Sequence, residues 1–351
     1  MVWRGLTNGI KTISLLSNPV FIIAEIGQAH DGSLGLAHSY IDALAETGID
    51  AVKWQTHIAE AESSVHEPFR VNFSFEDKTR MDYWKRMEFT FPQWKGLKEH
   101  CEEKGLEFLS SPFSNAAVDM LEELDVKRYK VGSGEVNNYL MLEKIAKTKK
   151  PIILSSGMSS FEELNNTIEY LKGFGNDLSL LQCTTAYPTS PENWGLNVIG
   201  EMKSRYNLPV GFSDHSGEVY ACLAATALGA TTLEFHAVFD KRMFGPDAKS
   251  SLEIGQIKEL VRGVRQISES FNHPIDKANN SKFQDLKKIF EKSLAVNKDL
   301  PAGHILTFED LEAKKPKDYG VNAHDFRSLI GMKLKKPLKK WDFLNHQDIQ
   351  S

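Results

Sequence analysis

Cysteine is scarce. The chain of 351 residues has three, Cys101, Cys183 and Cys222, too few and too scattered for a disulfide framework or a thiolate zinc cluster. They read as reduced, buried small hydrophobes of a cytoplasmic protein. Basic charge is not in excess: 42 Lys+Arg stand against 47 Asp+Glu, a net charge of −5. That balance argues against nucleic-acid binding, which needs a cationic face to neutralise phosphates. No apolar run approaches the roughly 18 residues of a membrane span. The opening MVWRGLTNGIKTIS lacks an apolar core followed by a small-residue cleavage site, so no signal peptide is expected. Hydrophobic residues make up 41% and charged residues 25%, enough apolar surface to exclude disorder as the main state. The length fits one large domain and one small one.

A repeating unit runs through the first three quarters of the chain. An apolar run is followed by a small or polar cluster and then by an amphipathic helical stretch. The runs predict strands over 20–27, 51–56, 107–113, 128–134, 151–157, 178–188, 208–215 and 231–236. Helical patterns lie between and after them, over 34–46, 94–104, 116–124, 140–147, 161–171, 196–206, 219–228 and 254–270. Near-continuous apolar strands such as Ile152-Ile153-Leu154 suit a parallel sheet buried on both faces. Eight βα units in about 250 residues is the arithmetic of a (β/α)8 TIM barrel; a doubly wound sheet is the competing architecture. The predicted division is a barrel domain over 1–271, a polar Lys/Asn-rich linker over 272–292 that ends in a short helical piece, and a small, mostly β domain over 293–351. The stretch KLKKPLKKW reads as solvated surface, since no aromatic interleaving supports base stacking.

A TIM-barrel active site lies at the C-terminal ends of the strands, and here every predicted strand ends in polar or ionisable groups. In chain order these include Glu25, then Lys53 and Gln55, Ser110, Lys130 with Ser133 and Glu135, Ser155, Thr185 and Tyr187, Ser213 with His215, and Glu234 with His236. Lys53 and Lys130 sit inside apolar strands, where an ammonium must face the barrel mouth or be buried at a cost. Two lysines and several hydroxyls suit a small anion carrying both a phosphate and a carboxylate. His215 and His236 end adjacent strands and can share a divalent metal, with nitrogen and oxygen donors suiting Mn²⁺ or Mg²⁺. Asp247, just after strand eight, is a further ligand or a sugar-hydroxyl acceptor. Glu25 and Glu135 read as acid/base or hydroxyl-binding carboxylates, or as partners of the barrel lysines.

The segments FIIAEIGQAHDG, AVKWQT, FLSSPFS, YKVGSGEVNN, PIILSSGM, LQCTTAYPTS, GFSDHS and LEFHAVFDKRMFGPD occur in that order. Together they resemble the N-acetylneuraminate (sialic acid) synthase family, which includes the spore-coat polysaccharide, legionaminic and pseudaminic acid synthases. The tail, with KDLPAGHILTFEDLEAKKP and LIGMKLKK, resembles that family's C-terminal antifreeze-like (SAF) domain. The resemblance implies condensation of phosphoenolpyruvate with an N-acetylmannosamine-like aldose, giving a nonulosonate and phosphate by C–O cleavage with metal assistance. It implies phosphoenolpyruvate contacts from Lys53, Ser110, Lys130, Ser133, Ser155, Thr185 and Ser213. It also implies sugar contacts from Gln55, Glu135, Tyr187, Asp247 and Lys315, and catalytic roles for Glu25, His215 and His236, the two histidines being the metal ligands. A homodimer is implied in which the small domain of one copy closes the other copy's site.

The pattern departs from the family at Thr185, where Asn is common, at Lys315, where an Arg is usual, and at Ala29-His30-Asp31-Gly32 in place of Asn-His-Asn-Gly. These departures point to an acceptor that differs from N-acetylmannosamine near C2. Two alternatives carry other expectations. A metal-dependent hydrolase would show His-x-His at strand one, where this chain has Glu25. A non-catalytic sugar-phosphate-binding barrel would have lost its metal ligands, yet His215 and His236 are both present.

Overall fold

The structure, a computed structural model, describes residues 19–71 and 73–350; the segment read above for a signal peptide lies outside them. The chain divides into two compact units between His273 and Pro274. In the first, eight parallel strands form a nearly closed barrel: β1 (Phe21–Glu25), β2 (Ala51–Thr56), β3 (Glu107–Pro112), β4 (Tyr129–Val131), β5 (Ile152–Ser155), β6 (Leu178–Cys183), β7 (Val210–Asp214) and β8 (Thr232–Val238). The ladder runs β3-β2-β1-β8-β7-β6-β5-β4, and β3 and β4 lie side by side across the remaining gap. The barrel, not the doubly wound sheet, is the architecture. Among the described residues no helix is long and apolar enough to cross a membrane.

Alternation along the strands builds two cores. Ile22, Ala24, Val52, Trp54, Phe108, Leu154 and Leu180 face the surrounding helices. Ile23, Ala51, Leu109, Ile153 and Leu181 form a separate cluster inside the barrel. Successive side chains point to opposite faces, so the residue two steps on from each interior position also faces inward. Those residues are Glu25, Lys53, Ser111, Ser155 and Cys183. An apolar floor is thereby topped by a polar layer at the C-terminal end.

Several helices start where a short side chain can cap them. Ser33 accepts from the Leu36 N–H at 3.2 Å, and Ser114 from Ala117 at 3.1 Å. Ser160 and Glu163 form a reciprocal capping box, which satisfies two otherwise orphaned donors. Most expected strands are shorter than their apolar runs suggest, two of them by four residues or more. β4 stops at Val131 and passes into a 3₁₀ turn over Ser133–Glu135; β6 stops at Cys183, before the turn that leads to Pro188. Two helices fall in the stretch after β2 that carries no clear period, Ala59–Glu62 and Arg80–Met87.

The second unit holds the helix Gln284–Phe290 within the segment expected to be a linker. Two small antiparallel pairs follow, Ser293–Val296 with Leu311–Lys314 and Lys333–Leu334 with Ile349–Gln350. Leu294, Val296, Leu306, Leu334 and Leu344 are among the residues of its own core. Two buried aspartates, Asp310 and Asp348, each close a 3₁₀ turn by a reciprocal cap.

Gly211 in β7 shows how tight the barrel wall is. A Cβ there would overlap the backbone carbonyl of Thr232 and stand 2.7 Å from Leu181. Gly96, in the helix Phe91–Glu103, has nothing within 4 Å of its virtual Cβ. Gly211→Ala should therefore lower the unfolding free energy by about 1–3 kcal/mol. Gly96→Ala should raise it by up to about 1 kcal/mol. Urea titration of the two variants checks both signs.

Candidate active site

The strand ends enclose a cavity of about 360 Å³. Its floor is a buried network of four alternating charges. Lys53 Nζ lies 2.6 Å from Glu25 Oε1 and 3.5 Å from Glu234 Oε1. Lys130 Nζ lies 2.8 Å from the same Glu234 oxygen, and the Ser213 hydroxyl donates to it at 3.2 Å. All four charged side chains are at most 4% exposed. Burial opposes ionisation of Glu25, but Lys53, His236 and Lys130 outweigh it and hold its carboxyl well below the usual range. Glu234 behaves alike: burial raises it, and Lys130 and Lys53 bring it down. Lys130 is the mirror case, since burial lowers it while Glu234 and Glu25 carry it above its ordinary value. Lys130 thus stays charged inside the barrel, and Lys53 is ion-paired with both carboxylates.

Two polar atoms at this level have no partner, Ser155 Oγ and Glu234 Oε2. Buried polar groups are rarely left unsatisfied, so both mark where a ligand would complete the site. Ser133 Oγ accepts from the Gly157 N–H at 3.0 Å. A Cβ on Gly157 would collide with Ser133 and Thr185, so the turn after β5 needs glycine there for these hydroxyls to converge.

Nearer the mouth, His215 and His236 have ring centroids 5.5 Å apart. His215 Nδ1 sits 3.0 Å from the Thr184 carbonyl; an N–H donated there leaves the lone pair on Nε2, 3.1 Å from the Tyr187 hydroxyl. His236 Nε2 is 3.4 Å from Glu25 Oε2. Among the described residues no group of three or more His, Cys, Asp or Glu is spaced to hold an ion. Two imidazoles side by side with an oriented tautomer fit an open divalent site, in which water or substrate fills the remaining positions.

The outer wall carries Gln55, Glu135, Tyr187 and Asp247. Burial pushes Glu135 up, with only the Asn138 hydrogen bond opposing it. Asp247 pairs with Arg70 at 2.6 Å, and the Arg70 guanidinium lies 4.1 Å over the Tyr187 ring.

Most of the residues read from the strand ends line this one cavity. Ser110 does not. Its hydroxyl is buried against Thr56 Oγ1 at 2.7 Å and the Trp54 carbonyl at 3.2 Å, on the helix side of β3. Ser111 takes its place and lies 3.5 Å from Lys53 Nζ. The register of two consecutive serines decides which faces in. Lys315 belongs to the second unit, with Nζ 4.8 Å over the Phe290 ring. Glu234 went without a role in the sequence reading, because its partner Lys130 is 104 residues away. His57, Glu62, Glu67, Arg70, Arg80 and Trp84 also line the cavity; the His directly after β2 was their one visible signal.

A parallel eight-stranded barrel with a charged cavity at its strand ends defines a TIM-barrel enzyme. The family model described as "NeuB family" matches residues 40–276. N-acetylneuraminate-9-phosphate synthase of Homo sapiens is 36% identical over 321 residues, covering 90% of this chain and 89% of that protein. N,N'-diacetyllegionaminic acid synthase of Campylobacter jejuni is 35% identical over 316 residues, 88% and 94% of the two chains. The crystal structure of N-acetylneuraminic acid (sialic acid) synthetase from Leptospira borgpetersenii in complex with citrate superposes with a TM-score of 0.68 at 31% identity, covering 77% of this chain and 91% of that one. The chain belongs to the NeuB family.

The floor network has a measurable signature. Because Glu25 and Glu234 have depressed values when folded, the stability they add is whole above the unfolded carboxylate value near 4.5 and is lost as pH falls through the folded values. Lys130 works in the other direction: its contribution is whole below 10.5 and is lost as pH rises through the folded value. Glu234→Gln leaves two buried ammoniums with one counter-charge and should cost about 3–5 kcal/mol at pH 7. It should also flatten the acid limb of stability against pH, as followed by denaturant titration.

Proposed function

We propose that this chain condenses phosphoenolpyruvate with an open-chain N-acetylmannosamine-like aldose to give a nonulosonate and inorganic phosphate. The observation that carries the reading is the pair of buried, ion-paired lysines on the cavity floor beside the unpartnered Ser155 hydroxyl. A ligand bearing a carboxylate and a phosphate answers both. Lys53, Lys130, Ser133, Ser155, Thr185 and Ser213 hold its two anionic ends, with Ser111 in the place first given to Ser110.

Carbon 3 of phosphoenolpyruvate bonds to the aldehyde carbon, and the aldehyde oxygen takes a proton. Water adds to the electron-poor carbon 2, and its proton goes to the site. The tetrahedral adduct then expels phosphate by breaking the C–O bond and leaves a 2-keto acid. Glu25, kept ionised by Lys53, balances charge beside the reacting atoms. The open oxygen of Glu234 is available to accept a hydrogen from the attacking water. Gln55, Glu135, Tyr187 and Asp247 hold the hydroxyls and the C2 substituent of the sugar. A divalent ion, Mn²⁺ or Mg²⁺, held by His215 and His236 would supply Lewis acidity toward the aldehyde oxygen.

The small C-terminal unit reads as an antifreeze-like (SAF) domain. We place it in a homodimer where Lys315 of one copy serves the sugar in the other; the support is the family resemblance of the tail. Thr185 and Lys315 favour an acceptor with a different group at C2 from that of N-acetylmannosamine.

The test is phosphate release from phosphoenolpyruvate with Mn²⁺ and a panel of N-acetylmannosamine, mannose and 2,4-diacetamido-2,4,6-trideoxy sugars. Release should require one of the aldoses and stop with EDTA. His236→Ala should slow it at least about a hundredfold. Binding of phosphoenolpyruvate without release, whichever sugar is offered, would instead support a non-catalytic barrel.

A further inference from the structure

His57 follows β2 directly and is buried. Its ring is stacked between Trp84 and Phe113, with centroids 3.9 and 4.6 Å away. None of the steps above uses it, yet it stands at the head of a hydrogen-bonded line that ends on Glu25. His57 Nδ1 is 2.7 Å from Glu62 Oε1. His57 Nε2 is 3.1 Å from the amide nitrogen of Gln28 and 3.1 Å from Gln55 Oε1. The Gln28 amide nitrogen also contacts Gln55 Oε1. Gln55 Nε2 then donates to Glu25 Oε1 at 2.6 Å.

The order of donors follows from Glu62 and Glu25. A carboxylate only accepts, so Glu62 takes the Nδ1–H of His57 and Glu25 takes a hydrogen from the Gln55 nitrogen. The Gln55 oxygen is thereby turned toward the Gln28 amide nitrogen and His57 Nε2, which both lie against it. A rotated Gln28 would set its own oxygen against the Gln55 oxygen, which is repulsive.

We propose that His57, braced by Glu62, is a positioning residue of this site: it locks the amides of Gln28 and Gln55 so that Gln55 donates to Glu25. The proposal rests on the synthase reading, in which Gln55 faces the aldose and Glu25 stands beside the reacting atoms. Loss of the lock lets the Gln55 amide rotate. That harms turnover of the aldose and spares the phosphoenolpyruvate pocket below it.

The experiment is a double-mutant cycle on the full-length protein. His57→Phe keeps an aromatic ring between Trp84 and Phe113 and removes both nitrogens; Gln55→Ala removes the amide through which His57 acts. Phosphate release is followed against aldose and phosphoenolpyruvate in wild type, both single variants and the double variant, with thermal midpoints as a check of folding. His57→Phe should lower kcat/KM for the aldose about ten- to a hundredfold, leave KM for phosphoenolpyruvate unchanged, and add no further loss in the Gln55→Ala background. Wild-type kinetics in His57→Phe, or losses that multiply in the double variant as a merely structural role would make them, overturn the proposal. A wild type that releases no phosphate with any aldose overturns the synthase reading and this role with it, whereas an active wild type with multiplying losses overturns the role alone. If His57→Phe does not fold, Glu62→Gln keeps the ring, frees its tautomer and completes the same cycle, with the same outcomes deciding.

Discussion

Two lysines are buried against two carboxylates inside a protein barrel, and this ion-pair network is the constraint around which the rest of the site is arranged. An isolated Lys in an apolar interior would give up its proton or draw in water. For Lys53 and Lys130 the counter-charges are Glu25 and Glu234, which lie between and beside them at 2.6–3.5 Å. The four charges cancel, so the empty cavity floor is neutral, yet it presents two cations to a ligand able to compete for them. A multiply charged anion is such a ligand. In the proposed reaction the same carboxylates that pair with the lysines would face the reacting atoms, which would join binding to chemistry in a single network.

That network exists because of strand parity. Glu25, Lys53, Ser111, Ser155 and Cys183 each come two residues after an interior apolar residue, so the pleat that closes the floor also aims the polar layer. Above it, the long connection after β2 brings His57, Glu62, Arg70 and Trp84 to the wall. These residues fix other groups of the wall: Arg70 holds Asp247 and covers Tyr187, and His57 stands behind Gln28 and Gln55.

Much of this was legible in the residue order. Eight apolar runs with polar ends gave the barrel, and lysines inside apolar strands could only face its mouth. The misreadings have physical causes. Ser110 and Ser111 are chemically identical neighbours, and only the register of β3 against β2, in which Gln55 pairs with Ser111, shows which one faces in. The helices Ala59–Glu62 and Arg80–Met87 escaped notice because aromatic and charged residues are mixed there without a steady period. Glu234 was visible as a strand end, but its role comes from Lys53 and Lys130, which only the closed barrel brings to it. The departures at Thr185 and Lys315 were readable as changes of residue; the groups around them were not.

The most direct measurement is a crystal structure of the protein with phosphoenolpyruvate bound. The account predicts the ligand on the barrel floor, with the Nζ atoms of Lys53 and Lys130 within hydrogen-bond distance of its oxygens and Ser155 Oγ donating to one of them. A ligand held at the rim, with both lysines still closed on Glu25 and Glu234 and Ser155 without a partner, would contradict it.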